Sequence, residues 1–347
     1  MKVQSDTNGF LRPNFEAANG IRGLAVLIVL IAHSVGMFFP NIGAMMPGTG
    51  KIGVWLFFSL SAFLLTNNFI YKGFSSDQVI SYVIGRAIRI LPLYSIAVFT
   101  YYYFDYYGFD FIKKLFLMDT PWGHLWTVSV EFKFYFLLPF IAFILIRANK
   151  LFGNKGVILT SAILVIAHQI CFPYLKVQPS STDMLDYASA FIPGMAVSFL
   201  INSNKKTQPW LLSVMAVFIL CVILISIPAF RLAIFGMPVD NYLLNKHLHF
   251  AFLWSIFIWL TVNGRGIVGS AMTNKVIMAI GKWSFSIYLF HWLIYTQMLI
   301  KNTGSVVFSI LAPLSAIALG MAVYYTIEFP IEKTRHLIMR KIVRKNQ

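Results

Sequence analysis

Two ionisable residues stand in one apolar stretch, NGIRGLAVLIVLIAHSVGMFFP (residues 19–40), and their spacing poses the first chemical question. Arg22 and His33 are separated by three full helical turns plus roughly 20°, so both side chains fall on one face, about 16 Å apart along the axis. An ionisable residue within a membrane-spanning helix is by default a functional candidate. The alternative for His33 is a hydrogen bond to a neighbouring helix. Glu131 and His291 lie at comparable depth in other apolar stretches. His33 and Glu131 are each seven residues from the outer end of their stretch, about 10 Å; His291, in WSFSIYLFHW, is close to mid-membrane. A charge at such depth costs a few kcal/mol on insertion scales, so the three predict a shared polar cavity. His with Glu makes a workable proton-transfer pair: the carboxylate orients the imidazole, which takes a proton from an attacking hydroxyl. Glu131 paired with Lys133 and His291 bonded between helices are the structural alternatives.

Arg86 and Arg89, in IGRAIRILP, share a helix face at i and i+3. Two adjacent guanidiniums can clamp a phosphate, each bidentately. Alone they read as ordinary positive flanking of a span. With Arg22 at the same surface they predict a site for an elongated anionic ligand whose reactive end lies mid-membrane. Pro92 is expected to start a new direction in its span. His124, between Trp122 and Trp126, reads as an interfacial anchor. His247 and His249 read as a solvated helix end, with acceptor contact as the alternative, while His168 and His336 carry no usable pattern. Cys171 and Cys221 sit in apolar surroundings without metal-ligand spacing and read as packing residues. No metal site is expected.

The elements that must position these groups are membrane helices. Hydrophobic residues make up 58% of the 347, and charged ones 12%, about half the charge of a soluble protein. No linker divides the chain, which reads as one all-α, polytopic integral membrane domain over residues 1–347. Stretches of about 20 apolar residues fall near 23–40, 52–70, 91–108, 124–146, 156–173, 185–201, 210–229, 248–263, 281–300 and 305–327. With ten spans both termini share a side. That side carries 20 lysines and arginines against 7 on the other, Lys133 lying within a span, so both termini are expected in the cytoplasm. This placement accounts for the net charge of +16 without nucleic acid. The basic tail, 333–347, is expected to lie on anionic lipid. Asp105, Asp110, Asp119, Asp183, Asp186 and Asp240 fall in outward loops or at outer helix ends, and Glu131 reads as the one acid well inside a span. The polar start lacks a signal peptide's apolar region and cleavage site. No internal repeat of the transporter kind is visible.

Six segments, in order, resemble the acyltransferase-3 family of bacterial membrane-bound sugar O-acyltransferases, over essentially the whole chain. Arg22 and His33 match its arginine–ten residues–histidine motif, and RAIR (86–89) its R-x-x-R motif. FSLSAFLLT (58–66) is similar to its second-helix segment. WTVSVEFKFYFLLP (126–139) resembles a W-S-L-S-V-E segment and places Trp126 and Glu131 in it. SFSIYLFHWLI (284–294) and YYTIEFPIEK (324–333) match its late S-Y-S-I-Y-L-x-H and Y-x-x-I-E-x-P segments. Asn19 stands where many members have Asp, Ala62 replaces a usual Gly, and Phe132-Lys133 replaces Glu-Gln.

The resemblance implies transfer of an acetyl or other short acyl group from cytoplasmic acyl-CoA, with acetyl-CoA as donor. The acceptor would be a hydroxyl of a cell-surface glycan or lipid-linked sugar precursor, met in a bacterial inner membrane. Arg22, Arg86 and Arg89 would take the donor's phosphates. His33 would be the general base, with Glu131 orienting it or stabilising developing charge, and His291 and Trp126 would line the cavity or meet the acceptor. An acyl-His33 relay stays open beside direct transfer. The extracytoplasmic hydrolase-like domain of some members is expected to be absent. The rival class is a proton-coupled transporter of a small molecule or glycan precursor; oligomeric state is not encoded in any pattern here.

Overall fold

The computed structural model describes residues 3–5, 11–13, 15–106, 108, 123–178, 181–240, 246–300 and 302–345. Lys2, Asp110, Lys113, Lys114, Asp119, Trp122 and Lys301, used in the charge and anchor readings, lie outside the described residues. A short antiparallel pair, β1 (Val3–Ser5) with β2 (Leu11–Pro13), precedes an otherwise helical chain. The helices are α1 (Ala18–Phe38), α2 (Pro40–Ala44), α3 (Thr49–Lys72), α4 (Ser76–Tyr103), α5 (Trp126–Cys171), α6 (Met184–Tyr187) and α7 (Ile192–Leu200). They continue as α8 (Pro209–Ser226), α9 (Pro228–Phe235), α10 (His247–Thr261), α11 (Gly266–Met272) and α12 (Lys275–Lys282). The last three are α13 (Ser284–Leu299), α14 (Val306–Val323) and α15 (Phe329–Lys345), with a π-helical turn, Tyr324–Glu328, joining α14 to α15.

Among the described residues six helical runs are long and apolar enough to cross a membrane, or eight if each of two bent pairs is one span. The chain is a polytopic membrane protein. The bent pairs are α10 with α11, at 94°, and α12 with α13, at 74°. Helix occupies every one of the ten apolar stretches, and the smaller count has local causes. The 46 residues of α5 are two helices that meet at a kink at Gly153, whose φ of 60° and ψ of −153° are open essentially to glycine. The expected spans 124–146 and 156–173 lie on the two sides of that kink and count as one run only because so few residues separate them. The Met184–Leu200 segment is shorter than a full span. One expectation is corrected: α4 runs through Pro92 to Tyr103 without interruption. Pro is tolerated within membrane helices because neighbouring groups and local adjustments re-satisfy the freed carbonyl. The Ser75 hydroxyl accepts from the Gln78 amide and fixes where α4 starts.

α1 is the organising helix, packing against α3, α12, α13 and α14. Ile21, Ala25 and Val29, spaced by four, enter the larger apolar core. Val26 and Leu30, on the adjoining strip, join a second core with Ile287, Ala312 and Ala316. Small residues let backbones approach closely in membrane bundles, and this is visible at two glycines. A Cβ on Gly20 would overlap the Met272 carbonyl, and one on Gly281 would overlap the Asn19 carbonyl. Side-chain donors then tie helix to helix through backbone oxygens. Trp254 Nε1 donates to Ile52 O at 2.8 Å, Ser198 Oγ to Phe63 O at 2.8 Å and Tyr295 OH to Leu30 O at 2.9 Å. Such bonds average about 0.6 kcal/mol each in membrane proteins, so backbone contact at glycine is the stronger constraint on register.

Gly20→Ala and Gly281→Ala are each expected to lower the thermal midpoint of the purified protein in detergent, reflecting the 1–3 kcal/mol typical of overpacking. Gly36→Ala, whose added methyl meets nothing within 4 Å, should leave that midpoint unchanged or slightly raised.

Candidate functional site

Five helices contribute to one cavity of about 740 Å³, counting its open mouth. α1 supplies Arg22, α3 supplies Phe57 and Ser61, and α4 supplies Arg86 and Arg89. α5 adds Thr127, Glu131 and Tyr135, and α13 adds Ser284 and Tyr288. Four of the expected site residues, Arg22, Arg86, Arg89 and Glu131, therefore line a single space. The helical periods account for this locally: Arg86 and Arg89 are one turn apart on α4, and Glu131 and Tyr135 are one turn apart on α5.

The charges are unevenly paired. Arg22 Nη1 donates to Asn19 Oδ1 at 3.2 Å. Arg89 Nη1 reaches Glu332 Oε1 of α15 at 2.8 Å, and Glu332 Oε2 also holds Arg335 Nη2 at 2.5 Å. The Tyr135 hydroxyl donates to Glu131 Oε1, with Ser61 beside it and Arg22 and Arg86 within Coulombic range. Arg86 has no hydrogen bond or ion pair among the described residues, and Arg22 and Arg89 are its close like-charged company. Like charges held together in a low-dielectric cleft repel by several kcal/mol unless an anion joins them. The cavity lining thus has more guanidinium than carboxylate and is suited to an anion.

Sequence reasoning missed three carboxylate or hydroxyl partners. Glu328 is 3% exposed and accepts from Ser286 Oγ at 2.5 Å, so Glu131 is not the one acid inside the bundle. Its signal was present in YYTIEFPIEK but was used only as a motif. Glu332 lies 243 residues from Arg89 and leaves no local trace. Tyr135 stood at i+4 from Glu131 and could have been found by that spacing.

His33 is absent from the cavity's lining and belongs to an adjoining cluster. Its Nδ1 lies 3.0 Å from His291 Nε2, and the Trp292 ring packs against it edge-on at 5.4 Å. The expected orientation of His33 by Glu131 is replaced by contact with a second imidazole, because α13 and not α5 presents a ring nitrogen to α1. His124 is buried and packs on His291 at 4.8 Å and on Trp292, which corrects its reading as an interfacial anchor. His247 is likewise buried, against Trp55 and Tyr187, rather than solvated; His249 is exposed beside Tyr174. Trp126 packs on Trp55, Phe58 and Tyr187 under Lys51 Nζ at 5.4 Å, outside the lining. Cys171 and Cys221 are exposed on the bundle surface rather than packed within it. Among the described residues no group of three His, Cys, Asp or Glu is placed to hold a metal ion.

Tyr288 joins the two regions. It lines the arginine cavity, accepts from Thr127 Oγ1 at 2.8 Å, donates to His124 O and lies 5.7 Å from the His291 ring. The arrangement can hold an anion among the guanidiniums, with the histidine cluster on the other side of Tyr288.

The model of a family described as "Acyltransferase domain" matches residues 15–329. The peptidoglycan O-acetyltransferase OatA of Listeria monocytogenes is similar at 23% identity over 332 residues, covering 84% of this chain and 51% of that protein. The chain spans about half the length of the curated relative it matches. No solved structure matches.

Inorganic pyrophosphate is expected to raise the thermal midpoint of the protein by ligand linkage. Arg86→Gln should abolish most of that shift, whereas Lys275→Gln, at an exposed position, should keep it.

Proposed function

The chain belongs to the acyltransferase-3 family, and from that premise we propose that it moves an acetyl or short acyl group from acyl-CoA to a hydroxyl of a cell-surface glycan or lipid-linked sugar precursor. The observation that carries this reading is the convergence of Arg22, Arg86 and Arg89 on one cavity, with Arg86 lacking a partner among the described residues. Acyl-CoA brings several phosphate charges on an elongated body, and guanidinium is the side chain that binds phosphate bidentately. The phosphates occupy the arginine end. The thioester extends past Phe57 and Tyr288 towards His33, which acts as general base on the acceptor hydroxyl. Glu131, bonded to Tyr135, offsets part of the repulsion among the guanidiniums.

Acetyl-CoA is the donor we favour, since the relative's name describes an O-acetyltransferase. That name also supports a cell-wall glycan as the acceptor class. The distribution of lysine and arginine along the chain supports both termini in the cytoplasm of a bacterial inner membrane, so that the arginines open to the cytoplasmic donor pool and the acceptor comes from the opposite side.

The test uses purified protein in lipid nanodiscs with radiolabelled acetyl-CoA, following hydrolysis and transfer to added glycan. His33→Ala should lose about 10²- to 10⁴-fold in transfer, the range for a general base, while acetyl-CoA still raises its thermal midpoint. Arg86→Ala should weaken acetyl-CoA binding by about tenfold or more, as loss of a charged hydrogen bond does. A fully active His33→Ala would remove the proposed base, and vectorial movement of a solute without acyl transfer would support a transporter instead.

A further inference from the structure

The hydrogen bonds around His291 determine which nitrogen of His33 is left to react. His291 Nδ1 lies 2.7 Å from the carbonyl oxygen of Tyr288. A carbonyl can only accept, so Nδ1 of His291 carries the proton. His291 is fully buried, and no carboxylate contacts it or His33 among the described residues, so a charge on either ring would have no counter-ion there. Neutral His291 with its proton on Nδ1 has a bare Nε2. That nitrogen lies 3.0 Å from His33 Nδ1, with the ring planes within 7° and the centroids 5.2 Å apart, an edge-to-edge contact through the nitrogens. Two lone pairs cannot bond to each other, so His33 Nδ1 holds the shared proton and donates it. The lone pair of His33 is thereby confined to Nε2.

His33 Nε2 points to the first turn of α3. A Cβ built on Gly50 would meet it at 2.9 Å, and His33 is partly exposed while His291 is fully enclosed. We propose that His291 is a positioning residue that fixes His33 in the tautomer with a bare Nε2 and aims that nitrogen at the space beside Gly50, where the acceptor hydroxyl binds. This rests on the reading of His33 as the general base. In the step, the hydroxyl oxygen forms a bond to the thioester carbon and its proton passes to His33 Nε2. The C–S bond then breaks, and the departing thiolate takes the proton back from Nε2. Throughout, His33 Nδ1–H stays bonded to His291 Nε2, which stabilises the transient imidazolium as a neutral acceptor. The arrangement assigns to His291 the orienting part expected of Glu131.

Steady-state acetyl transfer by the full-length protein in nanodiscs separates this from a packing role. His291→Ala should lower kcat by about 100-fold, within the range of acid–base contributions, with KM for acetyl-CoA changed less than about twofold, because donor phosphates bind elsewhere. His291→Gln, whose side-chain oxygen can accept from Nδ1–H, should recover most of kcat. Gly50→Ala should lower kcat by crowding Nε2 while acetyl-CoA still raises the thermal midpoint. Nitrogen NMR of histidine-labelled wild-type protein, assigned by difference with His33→Asn, should show His33 protonated on Nδ1; this needs no folded His291 variant. A His33 protonated on Nε2, or full kcat in His291→Ala with His33→Ala inactive, would overturn the positioning role and leave the base intact. Full activity in His33→Ala would instead overturn the reading beneath it.

Discussion

The structure depends on the difficulty of keeping several guanidiniums inside an apolar bundle. Water is not there to solvate them, and repulsion between Arg22, Arg86 and Arg89 grows as the surroundings become less polar. Polar partners must therefore be found for them, from the same helix or from distant parts of the chain. Arg22 takes Asn19 from its own helix, while Arg89 takes Glu332 from the helix after the last span. Glu131 and Glu328 place negative charge alongside. α1, α4, α5 and the π-turn before α15 are in this way tied to one location. Removing one member of such a group leaves the others uncompensated, and that is costlier than never having buried the set.

The pairing is incomplete, and the incompleteness is what gives the cavity a use. A fully neutralised cluster would be a structural brace with little affinity for a ligand. Here Arg86 makes no hydrogen bond or ion pair among the described residues, and the cavity it faces is lined by hydroxyl-bearing, aromatic and aliphatic side chains with Glu131. On the proposed reading the donor's phosphates complete the set, so donor binding and the electrostatic stability of the bundle are the same event. Glu332 binds Arg89, which ties the basic helix α15 to the arginine end of the cavity.

The histidines divide the work differently. His33 and His291 carry no carboxylate contact among the described residues and are ordered by ring-to-ring and ring-to-carbonyl bonds instead. Tyr288 stands between the charged cavity and this neutral cluster and touches both. On the proposed reading, anion recognition and proton transfer fall to adjacent regions that share Tyr288.

The sequence by itself determined which segments are helical and membrane-bound, because the length and polarity of each apolar run are local properties. It also determined that Arg22 and His33 share a face and that Arg86 and Arg89 do, because helical period is local as well. The gathering of Arg22, Arg86 and Arg89 was legible through their placement at one surface, whereas Glu131 was read at the depth of His33 and joins the arginines only in the folded bundle. Tertiary structure alone decided the partners. Residues 258 and 243 positions apart, His33 with His291 and Arg89 with Glu332, meet only once α1, α13, α4 and α15 have packed. Depth along a helix says nothing about which neighbour a face will meet. Backbones approach closely at Gly20 and Gly281, and the face of α1 that carries His33 meets α13, a pairing no local pattern encodes. Hence His124 looked interfacial and proved buried, and Glu131 looked like the partner of His33 and proved to belong with the arginines.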